Sequence, residues 1–434
     1  MANKPELSDY FKARIPSDIR LAQIEFDKRE DKSEIIELNT AIGNVSLPMH
    51  PAMIDRMNNL SKGDIFKEGI VKYSPTAGIK DAQNAFLNVI AASGFETKNL
   101  HSLITDGGSM AMELVILAFC GPAGSGKKPL MLINPAYANY DTMAERVGRK
   151  TISVNRNLQE NGEYTFPAME DFDKLMEKEK PAAIVIIPYD NPTGQFVPHK
   201  IMAEIGKLCI KHDMWMVSDE AYRELYYTDD KPSSIWALTN KEVPGIEGRR
   251  VSIESASKVW NACGLRTGSI VTDNKEFWKK AVAEYTANLC SNVIGQHIFS
   301  ALGELDKNSL QEWFTKQRDY YKQRIIDMTE EIKRLVPGII VSLPEASIYS
   351  VVDLRNIKKD FDGRDFVMHC AKEGKVNIGN KDYTFLAAPM EGFYHNLKKN
   401  PGKTRMRIAY VLPPKEMDLV PKVFSKLLSE YLNN

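Results

Sequence analysis

Ser255-Ala256-Ser257-Lys258-Val259-Trp260-Asn261-Ala262-Cys263-Gly264-Leu265-Arg266-Thr267-Gly268 gathers two hydroxyls, a lysine and an arginine in one short stretch. It leaves the apolar run Val251-Ser-Ile-Glu-Ser255 and leads into Gly268-Ser-Ile-Val-Thr272. Short runs of this kind, rich in β-branched residues, read as buried strands. Hydroxyls and a guanidinium fork satisfy phosphate oxygens, and an amine beside them can condense with an aldehyde. A lone lysine is ordinarily a solvated side chain. The spacing of four such groups argues instead for a ligand.

Outward from this stretch, residues 79–282 alternate apolar runs with helix-like segments, the pattern of a sheet covered on both faces. The other runs are Leu130-Met-Leu-Ile-Asn134, Ala183-Ile-Val-Ile-Ile-Pro188 and Met214-Trp-Met-Val-Ser-Asp219. Helical periodicity occupies 79–92, 111–119 and 199–212, with Pro198 suited to a helix start. After about Asp306 come a helix-like stretch, 310–335, and short strands near 339–343 and 349–354, a mixed order that predicts a smaller α+β unit. The division expected is an N-terminal arm and lead-in over 1–50, a large domain over 51–305 and a small C-terminal domain over 306–434.

Several further segments sit where such a sheet places ligands. Asp190-Asn191-Pro192-Thr193-Gly194 forms a turn after a strand, at its carboxyl end. Asp219, closing the run 214–219 before Glu220-Ala221-Tyr222, is a carboxylate at the edge of a buried sheet and wants a cationic partner. Gly107, Gly108 and Ser109 precede a helix, so backbone amides there can approach a phosphate. Arg405-Met-Arg407-Ile-Ala-Tyr410 has the strand alternation of an inward-facing arginine, whose fork matches a planar carboxylate.

Taken in order, these stretches resemble the signature of the class I/II aminotransferases: Ser-x-Ser-Lys with Gly-x-Arg-x-Gly, Asn-Pro-Thr-Gly, Asp-x-x-Tyr, and a late Arg-[Ile/Val/Leu]-x-[Phe/Tyr]. The resemblance spans about Gly43 to Arg407. It implies the α/β fold of the fold-type I pyridoxal-phosphate-dependent transferases, with a mostly parallel seven-stranded sheet flanked by helices plus a smaller α+β domain. The implied cofactor is pyridoxal 5'-phosphate, held by Lys258 as a Schiff base. Ser255, Ser257, Arg266, Gly108 and Ser109 would grip its phosphate, Asp219 its pyridine nitrogen, Asn191 and Tyr222 its ring oxygen, and Tyr137 its ring face. Lys258, Asp219 and Tyr222 form the implied catalytic set. Gly43, Asn191 and Arg407 would meet the substrate, and Tyr73, in Lys72-Tyr73-Ser74-Pro75, would reach the phosphate of a partner subunit in a homodimer. The implied activity moves an amino group from an L-amino acid to a 2-oxo acid through the Lys258 aldimine and pyridoxamine phosphate, in amino-acid metabolism. A β-lyase or decarboxylase of the same fold is the rival. Two positions depart from the family. Trp260 replaces a smaller aromatic. Ala287 falls where the aspartate-specific members carry their side-chain-carboxylate arginine, which argues against dicarboxylate recognition in their manner.

Composition narrows the remaining classes. Lys plus Arg and Asp plus Glu number 57 each over 434 residues, so no global field favours nucleic acid or an anionic membrane. The five cysteines form no paired or metal-binding spacing, the start is polar and mixed in charge, and no apolar run is long enough for a membrane helix. A cytoplasmic enzyme with no metal is expected. Gly121-Pro-Ala-Gly-Ser-Gly126-Lys127-Lys128 nearly spells a nucleotide-binding P-loop, but a helix-like stretch precedes it and Lys128 replaces the Ser/Thr, so it reads as a plain helix-to-strand loop.

Overall fold

The apolar runs assemble into one seven-stranded sheet in the order His101–Thr105, Gly268–Thr272, Arg250–Ser255, Trp215–Asp219, Ala183–Ile186, Leu130–Asn134, Thr151–Asn155. The computed structural model describes residues 5–433 except Gly63, Ala123, Lys127, Asn396 and Lys398. Six strands run parallel, and Gly268–Thr272 runs against both its neighbours, placing Gly268 opposite Ser255 on one side and Thr105 on the other. Alternate residues of one strand feed different cores. Leu130 and Leu132 pack with helix Gly107–Cys120, while Met131 and Ile133 pack with helices Met169–Glu179 and His199–Lys211. Burial on both faces is why these strands carry no polar alternation.

Element bounds differ from expectation for local reasons. Helix Gly107–Cys120 begins four residues before its apolar periodicity, because its first turn is Gly-Gly-Ser and carries no hydrophobic signal. The run ending at Pro188 is a strand only over Ala183–Ile186, since proline has no amide to give a ladder. Around residues 339–343 only Ile340–Val341 pairs, with Pro344 close behind.

Helix Lys307–Leu335, capped by Asp306 accepting from the Ser309 amide at 2.8 Å, leads into the C-terminal elements. A four-stranded sheet orders Ile340–Val341, Tyr349–Asp353, Arg405–Ala409 and Ala388–Pro389, and a three-stranded one sets Ile35–Asn39 parallel to Lys381–Leu386. Thr40 sews the two together. Its amide donates to Leu386 O at 2.8 Å and its carbonyl accepts from the Ala409 amide at 2.9 Å. That stitch delivers residues 41–43 to the edge of the large sheet.

Trp260 is a core residue, 2% exposed, lying parallel to Trp313 at 6.2 Å and edge-on to Phe299. With Trp313 donating to Val259 O at 2.8 Å, it anchors the Lys258 loop to the long helix. In the P-loop-like segment, Arg149 gathers carbonyl oxygens of Cys120 and Gly121 at 2.9 Å and of Ser125 at 2.5 Å. A phosphate cradle turns amides inward, so the loop has the opposite polarity. Its Ala123 and Lys127 lie outside the described residues. All five cysteines are unpaired, and among the described residues there is no metal-binding group and no helix long and apolar enough to cross a membrane.

Candidate active site

A cleft of about 860 Å³ opens at the carboxyl ends of the parallel strands, where open α/β sheets bind ligands. At one end stand Gly108 and Ser109, in the first turn of helix Gly107–Cys120. Asp106 precedes the helix without capping it, because its carboxylate accepts instead from the Tyr285 hydroxyl at 3.1 Å and the Asn292 amide at 2.8 Å. The first-turn amides therefore remain available to an anion. Facing them are Ser255, whose Oγ donates to Ser257 Oγ at 2.9 Å, and Arg266, held with φ +49°. Gly107 has φ +80°, and a Cβ there would lie 2.5 Å from Arg266 Nη2, so the arginine occupies space only a glycine leaves.

Further along, Asp219 ends its strand and accepts from the Tyr140 hydroxyl and, at 3.2 Å, from the Ala221 amide. Burial raises its carboxyl above the ordinary range, against those two hydrogen bonds, which lower it. No cation pairs with it among the described residues. Tyr137 stands edge-on to Tyr140 at 5.4 Å, its hydroxyl accepting from Asn139 at 2.8 Å and pushed up to about 12 by burial. Asn191 Nδ2 donates to Tyr222 Oη at 3.1 Å, and Tyr222 and Tyr349 share a hydrogen bond of 3.1 Å. The Asn191 turn is braced by Asp190, which accepts from the Thr193 amide at 3.1 Å and pairs with buried Arg156 at 3.0 Å.

Lys258 lies between the two ends of the cleft. Its Nζ donates to Gly43 O, with Cys263 Sγ 3.9 Å away. A Cβ on Gly43 would collide with the Tyr349 hydroxyl and lie 3.0 Å from Lys258 Nζ, so glycine here answers a close approach. Beyond it Arg407, 2% exposed, donates to Asn191 Oδ1 at 2.9 Å and Ala41 O at 2.6 Å, under the Tyr349 ring at 4.3 Å. Its Nε is buried without a partner, and no carboxylate pairs with it among the described residues. Arg405 shares its strand face yet is spent, its Nε bound to Asp353 at 2.7 Å and its Nη1 to Tyr394.

Of the thirteen cofactor-, substrate- and catalytic-site residues read from sequence, Tyr73 alone is absent from this cleft. It is 79% exposed, near Thr76, whose hydroxyl donates to Leu289 O at 2.9 Å. The reading from sequence missed Tyr140 and Tyr349. Tyr140 follows Tyr137 by three residues, at the start of helix Asn139–Arg146, and that nearness in sequence could have flagged it. Tyr349 comes from the small sheet, two pairs along from Arg407, and no local signal marks it.

A carboxylate without a cation, a guanidinium without an anion and an uncapped helix start beside hydroxyls and an arginine match, in turn, a pyridinium, an α-carboxylate and a phosphate. The donor set fits pyridoxal 5'-phosphate. The fold and cleft define a fold-type I pyridoxal-phosphate enzyme. The chain belongs to the family of class I and II aminotransferases, whose model matches residues 38–418. It is 22% identical over 315 residues to a probable aspartate/prephenate aminotransferase of Aquifex aeolicus, covering 71% of this chain and 76% of that one. It is 24% identical over 377 residues to a probable kynurenine–oxoglutarate transaminase of Saccharomyces cerevisiae, covering 83% and 81%. A mutant aspartate aminotransferase of Thermus thermophilus superposes with a TM-score of 0.78 at 19% identity, over 98% of this chain and all of that one, which shows the shared fold.

Proposed function

We propose that this enzyme transfers an amino group from an L-amino acid to a 2-oxo acid and that its working form is a homodimer. The observation that carries this reading is that Asp219 and Arg407, two enclosed groups of opposite sign with no ionic partner among the described residues, line the same cleft as the Lys258 amine. Pyridoxal phosphate, when bound, supplies an aldehyde carbon for an amine and a ring that accepts electrons from Cα. Ser255, Ser257, Arg266 and the first-turn amides of Gly108 and Ser109 hold its phosphate, and Tyr137 covers its ring. Asp219 keeps a proton on the ring nitrogen, and Asn191 and Tyr222 donate to the ring oxygen. Arg407 clamps the substrate α-carboxylate, with Gly43 allowing the close approach. With cofactor and substrate bound, Lys258 Nζ would be the group to take the proton from Cα as general base.

The homodimer is supported by the exposed apolar side chains of Ile70, Val71 and Tyr73 in one segment and Leu289 and Ile294 in another, joined by the Thr76–Leu289 contact. Asn292 links the second segment to the phosphate end by donating to Leu265 O at 2.9 Å, beside Arg266. In this reading Tyr73 completes the phosphate site of the partner subunit.

The test is a panel of amino donors against 2-oxoglutarate and pyruvate, read by cofactor absorbance in half-reactions, with Lys258→Ala as control. Stoichiometric conversion of the cofactor to its amine form by a donor alone is expected. Release of ammonia and pyruvate with no acceptor would make the enzyme a β-lyase, and release of carbon dioxide a decarboxylase. Covalent cofactor and normal turnover in Lys258→Ala would refute the assignment of the lysine.

A further inference from the structure

Tyr222 comes from the turn after strand Trp215–Asp219 and Tyr349 from strand Tyr349–Asp353 of the four-stranded sheet, and their hydroxyls meet at 3.1 Å in the cleft. Tyr222 has been given the cofactor's ring oxygen above, whereas Tyr349 has had no part. We propose that Tyr349 is a positioning residue for Tyr222: its hydroxyl donates to Tyr222 Oη and, with Asn191, turns the single Tyr222 proton toward the ring oxygen. The inference rests on the ring-oxygen role proposed for Tyr222 and adds a residue to that site.

The proton directions start from a donor that cannot be reversed. A guanidinium only donates, so the contact of Arg407 Nη1 with Asn191 at 2.9 Å sets the amide oxygen toward the arginine. Asn191 Nδ2 is then left to donate to Tyr222 Oη at 3.1 Å. Tyr222 keeps its own proton, because burial pushes its hydroxyl well above the ordinary range. With one donor already on its oxygen, Tyr222 can meet Tyr349 in two ways: it accepts a second donor, or it gives its proton away. Given away, that proton is lost to the ring oxygen.

Two observations make Tyr349 the donor. Its hydroxyl has no other hydrogen bond among the described residues, and its side chain is 2% exposed. Were it the acceptor, its own proton would stay buried without a partner, whereas Tyr222 as acceptor still has the ring oxygen to donate to. Secondly, Arg407 Cζ lies 4.3 Å from the centre of the Tyr349 ring. A cation on the face of a phenol draws electron density from its oxygen and makes the O–H a better donor. Gly43 leaves the hydroxyl its place, since a Cβ there would collide with it. Two donors on Tyr222 Oη also polarise the O–H that remains, so it binds the ring oxygen more strongly.

A pH titration of cofactor absorbance on the holoenzyme tests this without any amino donor. A donor to the ring oxygen stabilises negative charge there, so weakening the donor raises the pH at which the lysine-bound cofactor loses its proton. Tyr349→Phe keeps the ring over Arg407 and removes only the hydroxyl. It is expected to raise the midpoint by about half a pH unit, about a threefold change in proton affinity. Tyr222→Phe is expected to raise it further, and adding Tyr349→Phe to that variant is expected to move it no more, because one hydroxyl acts through the other. A downward shift in Tyr349→Phe would mean that Tyr222 gives its proton to Tyr349, and would overturn the proposal. An unmoved midpoint, or a shift of equal size in the Tyr222→Phe background, would overturn it too. If Tyr222→Phe alone leaves the midpoint unmoved, the ring-oxygen role of Tyr222 fails and the proposal with it. If Tyr222→Phe raises the midpoint and Tyr349→Phe does not, that role stands and only the proposal falls.

Discussion

Arg405 and Arg407 stand two residues apart on one face of a strand, both buried, and differ in what meets them. Arg405 has Asp353; Arg407 has an amide oxygen, a carbonyl and an aromatic ring, and nothing with negative charge. A guanidinium buried that way invites a carboxylate. Arg407→Ala is expected to lower kcat/KM by roughly a hundredfold, about 3 kcal/mol, because truncating one partner of a buried charged pair costs that much. Steady-state kinetics should show this loss while the absorbance of the lysine-bound cofactor stays unchanged. Tyr140 acts through Asp219. Its hydroxyl donates to that carboxylate and lowers a group that burial raises. Tyr140→Phe should let the carboxyl rise further, so the proton shared between Asp219 and a bound pyridine nitrogen is lost at higher pH. A pH titration of cofactor absorbance would show the upward shift, and a downward one would contradict the role given to Tyr140.

At the scale of elements, six parallel strands end on one edge, so residues far apart in sequence reach one cleft. The strands that carry Asp219 and Ser255 also bring a buried polar cluster behind the cleft. Arg223 pairs with Glu220 at 2.5 Å and Glu254 at 2.6 Å, and the Ser234 hydroxyl and Ile235 amide donate to Glu220 at 2.8 and 2.9 Å. One arginine serves two carboxylates, and burial raises Glu220 above its ordinary 4.5. A carboxyl raised in the folded state binds its proton more tightly than in the unfolded chain. Its contribution to stability is present below 4.5 and is lost as pH rises through the raised value. Glu220→Gln should flatten the fall of thermal midpoint with pH above 4.5, as calorimetry across pH would record; an unchanged slope would contradict the assignment.

At the scale of the whole molecule, one chain holds twelve of the thirteen site residues read from sequence in its cleft and leaves Tyr73 exposed. If Tyr73 serves the partner's site, lesions can be sorted between subunits. Mixing Tyr73→Ala and Lys258→Ala chains should restore roughly a quarter of wild-type activity, since half the dimers are hybrids and each has one intact site. Each variant alone should stay well below that level. Activity that never exceeds the mean of the two parents would place Tyr73 in its own subunit or in no site.

The strands, their order along the chain and the motif at the end of each were legible from sequence because they depend on short-range pattern: apolar runs buried on two faces, then a turn bearing polar groups. The stretch from Ser255 to Gly268 pointed to the cofactor class through its resemblance to the family signature, a match that needs only short-range order of hydroxyl, amine and guanidinium. The family pattern already pointed to Arg407 over Arg405, and the tertiary structure supplied the physical reason, since equivalent strand positions differ in the partners that folding brings. It also brought Tyr140 and Tyr349 into the cleft and showed what crowds Gly43, through contacts between residues distant in the chain.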